Sequence, residues 1–331
     1  MPDDLISFVV IAYNEAANIG PALDSMARLT GLGEYEIIVV NDGSQDGTAQ
    51  TVATLARRDP RIRLIDLPAN RGRGHARSTG IAAARGGLIA TVDADILLPA
   101  NWLDRTRQAL TGHDAVGGTA VPDGDVGYVG RRFGLAPRVV GSTTTVTGNN
   151  GLYRRSVFDR VSFDEALREG EDSALNHAMA RQGLSVATVP GLVVQHRETK
   201  SFGTSLSWLF ETGGGATRQL LAYRQVRQPD VVTAAFAAAL AAGLAATAAR
   251  RPVLGAAIPA GFVLAASAQH VRTRFETPRR DWLKVAPAVA VDAAMLSAYF
   301  AGRLAGLASA LRVAGRRERR EPGAGTATAL R

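Results

Sequence analysis

The sequence predicts an α/β fold on a mostly parallel central sheet, followed by apolar C-terminal helices. Three observations carry this expectation. From residue 5 to about residue 200, short apolar runs alternate with amphipathic stretches. Three of the first four apolar runs stop at a polar or acidic cluster. Beyond about residue 225, charge nearly vanishes over stretches close to the roughly 20 residues that cross a bilayer.

The run at 5–12 is β-rich and stops at Tyr13-Asn14-Glu15, with a helix following to about Leu29. A second strand at 36–40 ends in Asn41-Asp42-Gly43-Ser44, and a helix at 46–57 follows. A third strand at 61–66 precedes a helix at 72–84, and a fourth at 88–92 ends in Asp93-Ala94-Asp95. A fifth strand is expected at 115–120. Repeated strand–helix units imply parallel pairing with helices on both faces. Residues 121–147, rich in Gly, Thr and Val, read as loops. The stretch 165–182 holds a helix that starts near Glu171-Asp172, and short strands at 186–189 and 192–194 lead to His196. The polar clusters thus share the carboxyl edge of the sheet, where open α/β sheets bind ligands.

The chain has no cysteine, which excludes disulfides, thiolate metal sites and a cysteine nucleophile. Its net charge of +8 favours an anionic partner. The excess lies late, at Arg250-Arg251, at 270–284 and at 312–320, flanking apolar stretches as membrane-surface anchors do. These basic residues are not interleaved with aromatics, so no nucleic-acid partner is expected. The opening MPDDLISFVV has no basic n-region, so no signal peptide is expected.

Two acids one residue apart are ordinarily a solvated turn. Here Asp93 and Asp95 follow a buried-looking strand and precede Ile96-Leu97-Leu98-Pro99. Two bare carboxylates at such a place need a positive partner, and a divalent cation, Mg²⁺ or Mn²⁺, shared with phosphate oxygens supplies one.

Four ordered stretches, VVIAYNEAANI (9–19), VVNDGSQDGT (39–48), NRGRGHARSTGI (70–81) and TVDADILLP (91–99), resemble the family 2 glycosyltransferases of the GT-A fold. A fifth, GEDSALNHAMARQG (170–183), resembles that family's catalytic-base helix. The resemblance covers about the first 200 residues and implies a nucleotide-sugar-binding fold. It puts Ala12, Tyr13 and Glu15 at the nucleobase and ribose, although the family usually carries proline at Ala12. It makes Asp42 the acid that grips the base, and sets Arg73 and Arg77 near the diphosphate. It sets Asp93 on the sugar or ribose and Asp95 on the metal, with His196 as a further metal ligand. Asp172 becomes the general base of an inverting transfer, Glu171 supports acceptor or helix start, and Asn150 lies in the loop below the acceptor.

Residues 201–228 then read as an amphipathic interfacial segment. Phe210, Gly213, Gly215 and Arg218 resemble the aromatic, Gly-x-Gly and Arg pattern of membrane-bound succinoglycan-assembly-type relatives. Residues 229–315 read as apolar membrane-associated helices, with uncharged stretches at 231–249 and 252–269. Residues 316–331 read as a basic disordered tail. The last apolar stretch, 285–311, carries Asp292 and Arg303, which favours re-entry or an interfacial position over spanning. Arg272, Arg274, Arg279, Arg280 and Lys284 fit the cytoplasmic side, and Arg250-Arg251 opposes that rule from a short loop.

The expected protein is a metal-dependent inverting glycosyltransferase at the cell membrane, its catalytic domain facing the cytoplasm. It takes a nucleotide-sugar donor and a lipid-linked or polysaccharide acceptor. Polyprenyl phosphate as acceptor, a nucleotidyltransferase and a non-catalytic membrane scaffold are the rivals. No Gly-rich phosphate loop follows the first strand, which counts against the nucleotidyltransferase. No Q-x-x-R-W follows the base, so processive synthesis is not expected.

Overall fold

The computed structural model describes residues 5–122, 127–135, 145–165, 167, 170–197, 201–224, 226, 228–275 and 282–318. The chain divides into two compact units. One comprises Met1–Phe202 with Ala268–Val291, the other Gly203–Ser267 with Asp292–Arg331.

The first unit is built on an eight-stranded sheet. Its strands are β1 (Ile6–Ala12), β2 (Tyr35–Asn41), β3 (Ile62–Asp66), β4 (Leu88–Asp93), β5 (Ile96–Leu97), β6 (Ala115–Pro122), β7 (Asn150–Arg154) and β8 (Val186–His196). The order across the sheet is β3-β2-β1-β4-β7-β6-β8-β5. The first four of that order are parallel, and β7 runs antiparallel to both β4 and β6. The helices are α1 (Ile19–Ala27), α2 (Thr48–Arg58), α3 (Arg73–Ala83), α4 (Trp102–Leu110), α5 (Gly127–Phe133) and α6 (Glu171–Arg181).

β1 and β2 are buried at every position, as strands of a sheet covered on both faces must be. Two polar residues interrupt that run and satisfy each other. Ser7 Oγ donates to Glu36 Oε1 at 2.7 Å, and Arg85 adds its backbone N–H at 2.7 Å. Burial raises the Glu36 carboxyl, but the Ser7 and Arg85 hydrogen bonds and the Arg63 charge outweigh it and hold it below its ordinary value.

The parallel half follows the sequence reading closely. The other half departs from it. The expected strands at 186–189 and 192–194 are one continuous β8, because parallel pairing with β6 resumes after a register shift between Gly117 and Thr119. Asn150 and Gly151, expected in a loop, open β7. The expected loop region 121–147 contains the end of β6 and all of α5, while 123–126 and 136–144 lie outside the described residues. α4 was not foreseen. It packs through the fully buried Trp102, whose Nε1 donates to Asn150 Oδ1 at 2.8 Å.

The second unit is helical. α7 (Phe202–Tyr223) and α8 (Gln228–Ala248) precede α9 (Pro252–Arg274) and α10 (Trp282–Glu318), and parts of α9 and α10 belong to this unit. The glycines of α7 are crossing points. A Cβ at Gly213 would lie 2.2 Å from Tyr299 O, and one at Gly302 would lie 1.9 Å from Phe210 O, so the α7 and α10 backbones touch. Phe236 of α8 stacks on Phe300 of α10 with ring centroids 4.3 Å apart. Among the described residues, three helices are long and apolar enough to cross a membrane: Gln228–Ala248, Pro252–Arg274 and Val285–Arg312.

The third of these bears on the expectation of re-entry. α10 is continuous through this stretch, and one of the two charges that counted against spanning is compensated. Arg303 pairs with Asp230 of α8, with both side chains buried. α10 runs to Glu318, through the first three residues of the expected tail; residues 319–331, like Arg279 and Arg280, lie outside the described residues.

Candidate active site

The carboxyl ends of β1, β2 and β4 meet at one edge of the sheet. Ile11 is paired with Asp93, and Ala12 with Asn41. Asp42 N–H donates to Ala12 O at 2.8 Å, and Ala94 N–H to Ile11 O at 3.1 Å. Parallel pairing therefore brings Ala12, Asp42, Asp93 and Asp95 together from three distant segments.

The Tyr13-Asn14-Glu15 turn is held by the segment after β2. Asn14 adopts a left-handed backbone (φ 57°), which asparagine tolerates, and its side-chain oxygen accepts Gln45 N–H at 2.8 Å. Glu15 N–H donates to Thr48 Oγ1 at 2.9 Å. Asp46 accepts Thr48 N–H at 2.9 Å and Ala16 N–H at 3.1 Å. Burial raises the Asp46 carboxyl, yet these bonds outweigh it and lower it. Beside this turn lies a cavity of about 470 Å³, lined by Tyr13, Asn41, Ser44, Asp46, Asp66 and Asn70 among others. Tyr13 is exposed there, whereas Ala12 is buried and offers only backbone.

Asp42 is placed differently from its expected role. Its carboxylate is buried and accepts Arg71 N–H at 2.8 Å and Gly72 N–H at 2.9 Å, holding the turn into α3. Its neighbour Gly43 (φ 71°) has no room for a Cβ, which would lie 2.5 Å from the Ala69 carbonyl carbon. The carboxylates that line the cavity are Asp46 and Asp66, which sequence reading passed over. The signal for Asp66 was its place at the end of the third strand.

On the other side of β4, a two-residue β5 pairs with the end of β8 and sets Ile96 against His196. Arg197 N–H donates to Asp95 O at 2.8 Å. His196 Nε2 and Asp95 Oδ2 are 2.9 Å apart, so the two expected metal ligands are neighbours although 101 residues separate them. A carboxylate oxygen beside an imidazole nitrogen is a donor pair that suits a divalent cation completed by water or phosphate oxygens. No group of three or more such side chains forms among the described residues.

Asp93 lies 2.6 Å from Arg77 Nη2. Arg77 was expected near the diphosphate, but its guanidinium is buried and also meets Glu171 at the first turn of α6. Burial opposes its charge, but the surrounding Asp93, Glu171 and Asp172 carboxylates outweigh it and strengthen its hold on the proton. Burial raises Glu171 above the ordinary carboxylate range, with Arg77 opposing. Arg73, half-buried at the start of α3, also lowers the Glu171 carboxyl. Asp172 is half-exposed, and its Oδ1 accepts Ser173 N–H at 2.7 Å. α6 starts from Gly170 in the left-handed region (φ 79°), so one acid of the pair enters the core while the next stays open. Asn150 is fully buried, and its side-chain oxygen accepts from Trp102 and Gly118. Its side chain builds the floor of the sheet edge rather than an open acceptor loop.

Several buried polar atoms here have no hydrogen-bond partner: Arg77 Nε, Glu171 Oε2, Thr147 Oγ1 and Asn149 Oδ1. Such atoms cost stability unless something meets them. They belong to α3, α6 and the segment just before β7.

A mixed sheet with acids at its strand ends and a carboxylate-bearing helix beside them fits the GT-A fold. Residues 7–162 match the family model described as "Glycosyl transferase family 2". The chain therefore carries a family 2 glycosyltransferase domain. It is 37% identical over 198 residues to the succinoglycan biosynthesis protein ExoO of Rhizobium meliloti (strain 1021), covering 53% of this chain and 55% of that one. It is 47% identical over 96 residues to the dolichyl-phosphate beta-glucosyltransferase ALG5C of Trichomonas vaginalis (strain ATCC PRA-98 / G3), covering 27% and 28%. The chain thus spans about half the length of the first relative and less of the second. The fold is that of the mannosyltransferase PcManGT from Pyrobaculum calidifontis, solved in complex with GDP-Man and Mn²⁺. The TM-score is 0.55 at 22% identity, over 87% of this chain and 85% of that one.

Proposed function

We propose that this chain is an inverting, metal-dependent glycosyltransferase that moves a sugar from a nucleotide-sugar donor to an acceptor at the membrane. The observation that carries the reading is the meeting, at one sheet edge, of Asp93, the Asp95–His196 pair and the first turn of α6 with Asp172. The mannosyltransferase of like fold was solved with a nucleotide-sugar and Mn²⁺, which supports both donor class and cation.

In this reading the donor nucleotide enters the cavity beside Tyr13, where the amides and side chains of 43–46 and 66–70 supply polar contacts. Asp95 and His196 would hold the cation, which when bound offsets charge developing on the leaving diphosphate. Asp93 orients the sugar or ribose. Asp172 removes the proton from the acceptor hydroxyl as that oxygen attacks C1, and the nucleoside diphosphate leaves from the opposite face, so configuration at C1 inverts.

Three apolar helices make a membrane-borne acceptor the economical choice: a lipid-linked saccharide or a growing polysaccharide. The relative named for succinoglycan biosynthesis supports this choice. Polyprenyl phosphate itself is the second reading, favoured by the dolichyl-phosphate relative. A nucleotide-sugar donor supports a catalytic domain on the cytoplasmic side of the cell membrane.

The test is release of nucleoside diphosphate by detergent-extracted protein from a panel of UDP- and GDP-sugars with Mn²⁺ or Mg²⁺. Cation-dependent release that Asp95→Ala abolishes supports the reading. No release from any donor, with no nucleotide binding, overturns it in favour of a scaffold.

A further inference from the structure

We propose that Arg77 is a positioning residue. Its buried guanidinium bridges Asp93, at the end of β4, and Glu171, the neighbour of Asp172, and thereby sets the distance between the donor carboxylates and the general base. The inference rests on the transferase reading and adds to it a residue that joins the two halves of the reaction.

The geometry separates this role from that of a phosphate ligand. Arg77 is 2% exposed, so its fork does not face an open site. Nη2 is taken by Asp93 at 2.6 Å and Nη1 by Glu171. Gly148 closes over the fork, since a Cβ there would lie 2.8 Å from Arg77 Cζ. The Phe163 ring lies 5.5 Å from the same carbon. Strand β4, helix α3, helix α6 and the segment before β7 therefore converge on one cation.

The start of α6 needs such a tie. Its N-cap is Gly170, which has no side chain to cap the helix. Its other polar anchors come one turn later, where Asn176 Nδ2 donates to Val146 O at 2.7 Å and Asn176 Oδ1 accepts Val146 N–H at 2.9 Å. Asn176 fixes the helix body, whereas Arg77 fixes the residue next to Asp172. A guanidinium reaches two carboxylates from separate nitrogens of a rigid planar fork; a lysine ammonium offers its N–H donors from one nitrogen on a flexible stem. Effective transfer depends on placement, and displacements near 1 Å cost on the order of 100-fold in rate.

The experiment compares wild type with Arg77→Lys, Arg77→Met, Glu171→Gln and the double variant Arg77→Met/Glu171→Gln. It measures melting temperature, nucleoside diphosphate affinity, and kcat and donor KM separately. Arg77→Met is expected to melt lower, because Glu171 is left as an uncompensated buried carboxylate. The double variant is expected to regain most of the melting temperature. Its kcat is expected to stay down by about 100-fold, as in Arg77→Lys, while donor KM and nucleotide affinity stay within about threefold. Glu171→Gln alone is expected to lose less than the double variant, so the further loss belongs to Arg77.

Recovery of kcat along with melting temperature in the double variant would overturn the inference, because Arg77 would then only neutralise charge. So would a tenfold loss of nucleotide affinity with kcat preserved, which would make Arg77 a donor ligand. A wild type that turns over no donor overturns the transferase reading and this inference together. Turnover in wild type with either of the first two outcomes overturns this inference alone.

Discussion

Arg77 and Arg303 are buried to nearly the same degree, 2% and 3% exposed, and both pair with buried carboxylates. Their surroundings differ. Arg77 meets two acids from separate elements, one the sequence neighbour of the half-exposed Asp172 and the other two residues before Asp95 of the Asp95–His196 pair. Arg303 meets one acid, Asp230, between helices that also bury aromatic rings, glycines, Thr217, Gln219 and Asp292. A Thr217 hydroxyl on the Arg303 carbonyl oxygen, at 2.9 Å, is helix-to-helix adhesion. The difference teaches that a buried ion pair is not by itself a sign of chemistry. What marks Arg77 is convergence with groups that can hold, release or accept something.

The largest expected effect sharpens this contrast at its reactive end. Asp172→Asn should cut kcat by about 10² to 10⁴ and leave the melting temperature unchanged, because a half-exposed acid supports little structure. Full turnover in that variant would leave Arg77 positioning an inert side chain, and the contrast would collapse.

Next comes the helical unit. Arg303→Met should destabilise it by about 3–5 kcal/mol, since Asp230 would keep a buried charge without its partner. Arg303→Met/Asp230→Asn should recover most of that loss in a detergent melt. Turnover per folded molecule should change by less than about twofold, because neither residue is among those assigned to the reaction. A selective loss of kcat would mean that the helical pair also serves the reaction.

Glycine substitutions divide the two regions on a smaller scale. Gly148→Ala pushes on the Arg77 fork and Gly302→Ala on the α7–α10 crossing, each by overpacking worth about 1–3 kcal/mol. The first should lower kcat beyond what its stability loss explains, and the second should not. Steady-state kinetics beside thermal melts of both variants decides this.

The smallest effect belongs to a third buried acid, Glu36, which lies near the amino end of β2, away from the carboxyl edge of the sheet. Its folded pKa is lowered below the ordinary 4.5, so its contribution is whole above that value and is lost as pH falls beneath it through the folded pKa. Urea midpoints from about pH 6 to about pH 3 should fall less steeply in Glu36→Gln than in wild type. An unchanged slope would remove Glu36 from the acid sensitivity.

The parallel half of the sheet was legible because fully buried strands are continuous apolar runs bounded by polar clusters. VVIAYNE and IIVVNDG announce both a strand and the place where its site residues sit. β7 was not legible: NGLYR is short, opens with Asn-Gly and reads as a turn until antiparallel pairing with β4 claims it. β5 is two residues long, yet it sets His196 beside Asp95. Asp42 was legible as a strand-end acid, but its bonds to Arg71 and Gly72 depend on how the chain returns after β3. Arg77 reads from its helix as a surface basic residue; only the arrival of α6, 94 positions later, makes it a bridge.

The central claim is that Asp172 drives a single displacement at C1 of a sugar held at the Asp93–Asp95 edge. The most direct measurement is the anomeric configuration of the transferred sugar, read by NMR from product formed by the wild-type protein with its best donor. The account predicts the configuration opposite to that in the nucleotide-sugar. Retention of the donor configuration would contradict it.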